Sequence, residues 1–521
     1  MRRNILLPVV IAFASGAVVL MINGLPLTWG LLMLGGLLLP AGALMIPAPR
    51  RFLEVCLMLS FGISMDIHLG NDLTHRVDPA GLPVSLTGVL ICVLAAWWLI
   101  ERVGERPHQS LFGGMGIPIL GLWMTSICSM LVSSAPRFGV YGLINLAYFT
   151  LLFLYLANNI STPHHLRRLL SWLMVAVGVT SILALIEAGF GRTDALVALG
   201  MLSKDKIIAG TEVRRVGGLL GGANMLAMVL VQLLPLMLAF FLSPLSGYRK
   251  PLLVAGFGVG VLALIFTYSR GGWLVFGLTL LILLSMMASR RVSGSHNGWL
   301  GKVVVLVFLL ALLAAPLCGH VYTRLTEDDR GSAYSRLPMM QVALRIIEDN
   351  PLFGVGLGNY VIVMNRYDQG PERIHQNFPW PVHNIYLNIT AEIGVLGGLC
   401  FLLACLLAMR QGIQALRASD PFLRTAAAGL MIGLLGFLLV GMKELGPLGS
   451  DIYRYFWLAV GLLVATRRLA VPVQIAECAE ITASERAQDS RFKAQVPRRK
   501  TEPACRRIIQ RPREHSLGLE S

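Results

Sequence analysis

The stretch VGGLLGGANMLAMVLVQLLPLMLAFFL, residues 216–242, contains no charged side chain. About 20 consecutive apolar residues suffice to cross the hydrocarbon core of a bilayer as a helix. Comparable stretches recur at roughly 5–22, 27–46, 51–65, 84–100, 113–133, 139–157, 169–187, 251–268, 273–288, 303–318, 385–408, 425–442 and 452–466, which with 216–242 makes fourteen candidate spans. The run 51–65 is short for a crossing. Composition points the same way: 55% of the 521 residues are hydrophobic and 14% are charged, against about 25% charged in a soluble domain. So few charged side chains cannot cover a soluble globule. The recurrence excludes a single anchor, and unbroken apolar runs exclude a transmembrane barrel, whose strands alternate. The predicted fold class is all-α, a polytopic transmembrane helical bundle of about 12–14 spans.

The charges fix an expected orientation. With the N-terminus inside, the cytoplasmic loops carry Arg50 and Arg51, Arg102 and Arg106, Arg167 and Arg168, Arg249 and Lys250, Arg290, Arg291 and Lys302, then Arg410, Arg417 and Arg424. The short loops of the other side hold only Arg76, Arg137, Arg270, Lys443 and Arg454, the bias that sets topology. Both termini are then cytoplasmic, and Ile5–Ile22 is read as the first helix rather than a signal peptide. The net charge of +16 reports orientation, with no nucleic acid implied. The long loops 188–215 and 319–384 and the turn 269–272 all emerge on the outer side. Within 319–384, Leu337, Met340, Leu344 and Ile347 recur at helical spacing before Asn350-Pro351, which predicts an amphipathic helix at the bundle mouth. From Arg467 the tail carries 12 Lys or Arg and 7 Asp or Glu with few large apolar residues, the composition of a disordered segment attracted to lipid headgroups.

The outer face holds the residues suited to chemistry. Arg270 sits in Tyr268-Ser269-Arg270-Gly271-Gly272-Trp273. It fits either an interfacial turn flanked by aromatic residues or an anion site, because a guanidinium beside lipid is costly unless it meets an anion such as phosphate. Arg214 and Arg215 precede a glycine run ending at Asn224. The glycines suit close helix packing, while the paired arginines suit a lipid pyrophosphate. His383 stands where the long loop re-enters the membrane. It fits either a capping residue or a base for a hydroxyl proton, since nearby cations and partial burial favour neutral imidazole. No HExxH motif or CxxC pair appears in these loops, and their carboxylates and histidines do not fall at metal-ligand spacing, so neither a metal site nor a cofactor is expected. Gly354-Val355-Gly356-Leu357-Gly358 lacks the spacing of a nucleotide loop.

Taken together, these residues resemble the O-antigen ligase and O-antigen polymerase superfamily of bacterial envelope glycan enzymes. The most specific element is His383-Asn384, nine residues, then Gly394-Val395-Leu396-Gly397, similar to the ligase pattern H-[NSQ]-x9-G-x-x-[GTY]. Beside it stand the 268–273 turn, the Arg215-to-Asn224 segment similar to R-x-x-G…N-x-x-A, and Arg336 followed by Asn350-Pro351. The resemblance covers about residues 205–445. Arg336 is followed by Met340 where the ligase loop tends to have R-x3-L, so ligase and polymerase both stay open.

The resemblance implies a metal-independent, inverting transfer of a glycan from undecaprenyl pyrophosphate to an acceptor hydroxyl. The acceptor would be a glycan, lipid A core or a protein, and the reaction would take place at the periplasmic face of the bacterial inner membrane among membrane lipids. His383 and Arg270 would be catalytic, Arg215, Arg270 and Arg336 would bind the pyrophosphate, and Arg214, Asn224, Asn384, Gly394 and Gly397 would support them. The expected division is residues 1–200 as N-terminal spans, 201–466 as the catalytic membrane domain and 467–521 as the tail. A secondary transporter or lipid flippase is the competing class, and matched interrupted helices in two sequence halves would be its mark.

Overall fold

The computed structural model describes residues 47–64, 66–69, 82–102, 110–190, 215–245, 249–288, 303, 336–371, 373–377, 380–443 and 452–470. The expected spans 5–22 and 27–46, almost all of 303–318, and the tail beyond 470 lie outside the described residues.

Among the described residues the protein is almost entirely helical. Its helices are α1 (Pro49–Ser60), α2 (Leu86–Arg102), α3 (Gly116–Met130), α4 (Pro136–Asn159), α5 (Pro163–Phe190), α6 (Ala223–Leu242), α7 (Lys250–Phe266), α8 (Arg270–Ala288), α9 (Arg336–Asp349), α10 (Tyr360–Tyr367), α11 (Ile374–Asn377), α12 (Ile385–Ala415), α13 (Pro421–Gly441) and α14 (Tyr453–Ala470). Two short antiparallel strands, β1 (Asp66–Leu69) and β2 (Leu82–Ser85), pair Asp66 with Ser85 and Leu69 with Leu82. Helices α4, α5, α6, α8, α12 and α13 are long and apolar enough to cross a membrane, and α3 and α7 are shorter apolar helices. Intra-helical hydrogen bonds satisfy the backbone where no water reaches. The run 51–65 contributes only the 12 residues of α1, a rise of about 18 Å at 1.5 Å per residue, so α1 does not span by itself.

The centre of the bundle is α6 against α13, both nearly all buried. Small residues permit the approach. A Cβ on Gly433 would strike the Gln232 carbonyl, and one on Gly429 would lie 2.7 Å from the Leu236 Cα. Such glycines replace the hydrophobic drive that is missing between helices in lipid. Helix α14 closes the other side, where the Gln232 amide donates to the Tyr455 carbonyl at 2.8 Å and the Tyr455 hydroxyl to Phe61 O at 2.7 Å. At the end of the bundle opposite the long loop, the buried Glu54 carboxylate accepts from Arg168 (2.8 Å), Tyr155 (2.9 Å) and Asn159 (2.9 Å) and lies 3.0 Å from His165. A buried charge needs such partners, and these tie α1, α4 and α5 together.

Three local readings differ from the structure. Residues 216–222 are not helix. Gly218–Leu220 form a 3-10 turn and α6 starts at Ala223, because the Gly217 and Gly218 amides are taken by the Glu187 carboxylate at 3.1 and 2.8 Å. The amphipathic helix is present as α9, but its buried face is Met339, Val342, Ala343 and Ile346. Leu337 and Leu344 point outward. Its sequence carries two apolar stripes, and packing against α10 and α12 selects the one about a residue away from that expected. Lastly, α12 is broken at Ile393 and Gly394.

The break is filled by the glycine run of the loop. Val355 N–H donates to Ala391 O and Gly356 N–H to Glu392 O, both at 3.0 Å, while Val395 N–H donates to Pro351 O at 2.8 Å. Backbone groups freed inside the helix are thereby satisfied by protein. The buried Glu392 carboxylate also accepts the Gly358 and Tyr360 amides. Gly394 adopts φ +78°, and a Cβ there would collide with the Leu352 carbonyl. Gly394→Ala is therefore expected to destabilise the protein by about 3 kcal/mol from strain plus overpacking. Thermal unfolding in detergent measures this, with Val395→Ala, at an exposed side chain, as the variant that changes little.

Candidate active site

The turn between α7 and α8 organises the end of the bundle that carries the long loop. Thr267 closes α7 with its hydroxyl on Leu264 O at 2.6 Å. Tyr268 takes φ 51°, an unusual conformation for an aromatic residue and one that recurs at functional sites. Ser269 caps α8, its Oγ 3.4 Å from the Gly272 amide. Arg270 is thus the first residue of α8 rather than part of a free turn, at the positive end of the helix.

Arg215 binds the same turn. Its Nε donates to Thr267 O at 2.8 Å and one terminal nitrogen donates to Asn224 Oδ1 at 2.5 Å. Asn224 lies in the first turn of α6, so the bond fixes the guanidinium between α6 and α7. Val216 N–H to Phe266 O at 3.3 Å holds the adjoining backbone.

A third cation arrives from α13. Lys443 follows the end of that helix, and its Nζ lies 3.4 Å from Ser269 Oγ. Its methylenes run so close to Gly271 that a Cβ there would collide with them. In the sequence Lys443 is only one basic residue in an outer loop. Its place beside Arg270 depends on the packing of α13 on α8 and α6.

His383 reaches this end of the bundle through α12. It is the central residue of a three-residue turn closed by Asn384 N–H to Val382 O at 2.7 Å. Asn384 caps α12, its Oδ1 accepting Tyr386 N–H at 3.0 Å and Leu387 N–H at 3.1 Å. The start of α12 is anchored on the end of α13: the Tyr386 hydroxyl donates to Leu438 O at 2.8 Å, and Ile385 packs against Gly441. His383, Lys443, Arg270 and Arg215 therefore lie on adjoining helix ends at one end of the bundle.

The remaining expected residues fall differently. Arg336 opens α9. Arg214 lies outside the described residues. Gly394 carries the break in α12, and Gly397 leaves room for Ile393, whose side chain a Cβ would strike, so both glycines shape the helix. Sequence reasoning passed over Glu187, which holds the Gly217–Gly218 backbone beside Arg215, and Glu392, which lies inside the nine-residue spacer after His383-Asn384. An acidic residue within an apolar run was the available signal for each.

In the loop, Asp368 accepts the His375 amide at 2.8 Å and faces its Nδ1 at 2.6 Å. Burial opposes ionisation of Asp368, but the His375 hydrogen bonds and charge hold its pKa below the usual carboxylate value. Among the described residues no three His, Cys, Asp or Glu side chains group as metal ligands would. The turn offers guanidinium, ammonium and amide donors, a set that suits an anion.

No curated protein matches the chain. Residues 253–402, from α7 through the loop to the first part of α12, match the family model described as O-antigen ligase. The segments 205–252 and 403–445 of the expected resemblance fall outside that match. The chain is thus a polytopic, all-α membrane protein in which residues 253–402 are similar to the O-antigen ligase family.

Proposed function

We propose that this protein is a metal-independent, inverting glycosyltransferase of the O-antigen ligase type. It moves a glycan from undecaprenyl pyrophosphate to an acceptor hydroxyl at the periplasmic face of the bacterial inner membrane. The observation that carries this reading is the convergence of Arg215 and Arg270 on one turn, at the end of the bundle where α12 presents His383. Residues 201–466 form the catalytic unit.

In the reaction the acceptor oxygen attacks the anomeric carbon from the face opposite the diphosphate. The glycosyl C–O bond breaks, its electron pair leaves with undecaprenyl pyrophosphate, and the acceptor proton passes to His383. Arg215 and Arg270 offset the charge that develops on the leaving oxygen, each worth about 3 kcal/mol of transition-state stabilisation on the scale of oxyanion donors. No metal is needed where cationic side chains supply this charge. Ligase and polymerase share the step and differ in the acceptor.

A broken spanning helix is also a mark of secondary transporters. The break in α12 speaks against that class, because its Ala391 and Glu392 carbonyls are occupied by the loop. They do not line an ion path.

The test has two parts. Cysteines placed at Asp205 and Arg330 are expected to react with an impermeant maleimide from the periplasm, and labelling from the cytoplasm alone contradicts the orientation. With a lipid A core acceptor or a second lipid-linked glycan, a single capped product identifies a ligase and a ladder of chain lengths a polymerase.

A further inference from the structure

Two cations hold the α7–α8 turn in the reading above, and the geometry brings a further one to it. We propose that Lys443 is a third phosphate-binding residue of this site, contacting the diphosphate of the lipid-linked donor beside Arg270. The inference rests on the proposed glycosyl transfer and extends it to a residue outside the matched segment 253–402.

The placement is built by two independent features. Lys443 N–H is bonded to Val440 O at 3.0 Å, so the residue continues the last turn of α13 and its Cα is fixed by the best-packed helix pair of the bundle. Its side chain then crosses the first turn of α8, with Nζ 3.4 Å from the Ser269 cap. The absence of a side chain at Gly271 makes that crossing possible. Glycine in a helix is normally a cost relative to alanine, and here it provides the surface on which the lysine stem lies.

The charges gathered there have a chemical meaning. The positive pole of α8, Arg270 as its first residue and the Lys443 ammonium beside its Ser269 cap come together at one helix start, with Arg215 on the carbonyl of Thr267. Cations are disfavoured at a helix N-terminus, and a multiply charged anion reverses the sign of that interaction. The diphosphate gains a further negative charge when the glycosyl bond breaks, so a third cation acts most strongly on the leaving group and on the released product. A flexible ammonium complements the planar guanidinium, since it follows a phosphate oxygen as that oxygen moves.

The experiment compares binding of undecaprenyl pyrophosphate and undecaprenyl monophosphate to the purified full-length protein in nanodiscs. The proteins are wild type, Lys443→Ala, Lys443→Arg, Gly271→Ala and Arg270→Ala. Lys443→Ala is expected to weaken the diphosphate about tenfold, the scale of one lost charge-assisted hydrogen bond, and the monophosphate by less than about threefold. Lys443→Arg retains most of the affinity. Gly271→Ala keeps the charge and favours the helix yet displaces the lysine stem, so it reproduces the Lys443→Ala loss, which a merely structural lysine would not cause.

Diphosphate binding unchanged in Lys443→Ala but lost in Arg270→Ala overturns this inference and leaves the proposed reaction standing. Wild type and Arg270→Ala binding the diphosphate alike, or neither binding it, overturns both. If Lys443→Ala does not yield folded protein, Gly271→Ala decides, and full affinity in that variant contradicts the proposal.

Discussion

His383→Ala is expected to lower the turnover of glycan transfer about a thousandfold, within the range for loss of a positioned general base, while donor affinity stays within about threefold. The separation follows from the geometry. The cations proposed to recognise the diphosphate sit on the α7–α8 turn and the end of α13, whereas His383 belongs to the turn that starts α12. Proton removal counts only in the transition state. Since protonated imidazole cannot accept a proton, wild-type activity is expected to fall towards acid pH. Single-turnover kinetics with preloaded donor separate the two effects. Near-normal turnover in His383→Ala rejects the histidine as base.

Arg270→Ala carries the second large effect, a loss of kcat/KM of a hundredfold to a thousandfold, about 3 to 4 kcal/mol on the scale of a removed oxyanion donor. Arg270→Lys keeps the charge but not the planar fork, so it is expected to recover only part of this. Arg215→Ala is less clean because Arg215 also holds the Thr267 carbonyl and Asn224. Its loss disturbs the turn together with the ligand contact. Steady-state kinetics across a donor titration give the values, and full activity in Arg270→Lys counts against bidentate phosphate binding.

The helices were legible because an apolar run of spanning length has few alternatives in lipid. Their interruptions were not. Residues 216–222 read as the start of a span, yet the Glu187 carboxylate in a separate helix holds them as a loop. The break at Gly394 likewise depends on a loop some forty residues upstream supplying the missing hydrogen bonds, and no periodicity in α12 announces it. For α9 the spacing gave a helix with two apolar stripes, and only its neighbours decide which is buried.

The candidate site divides in the same way. Arg215, Arg270 and His383 drew notice because polar residues at the ends of apolar runs are costly without a role. Lys443 carried the same signal, but its partner Gly271 is 172 positions away in the chain, and the contact exists only through packing of α13. Gly394 stands in the motif for its backbone, Gly397 for the room it leaves to the Ile393 side chain, and Asn384 for its cap on α12.

The central claim is that this protein breaks the glycosyl–diphosphate bond of a lipid-linked glycan without a metal. The direct measurement is to reconstitute purified protein in proteoliposomes with an undecaprenyl-pyrophosphate-linked glycan and an acceptor, in EDTA, and to quantify both products. The account predicts glycosylated acceptor and free undecaprenyl pyrophosphate in equal amounts, both absent with His383→Ala. Intact donor moved across the bilayer with no bond cleaved, or activity that disappears in EDTA and returns with added Mg²⁺, would contradict it.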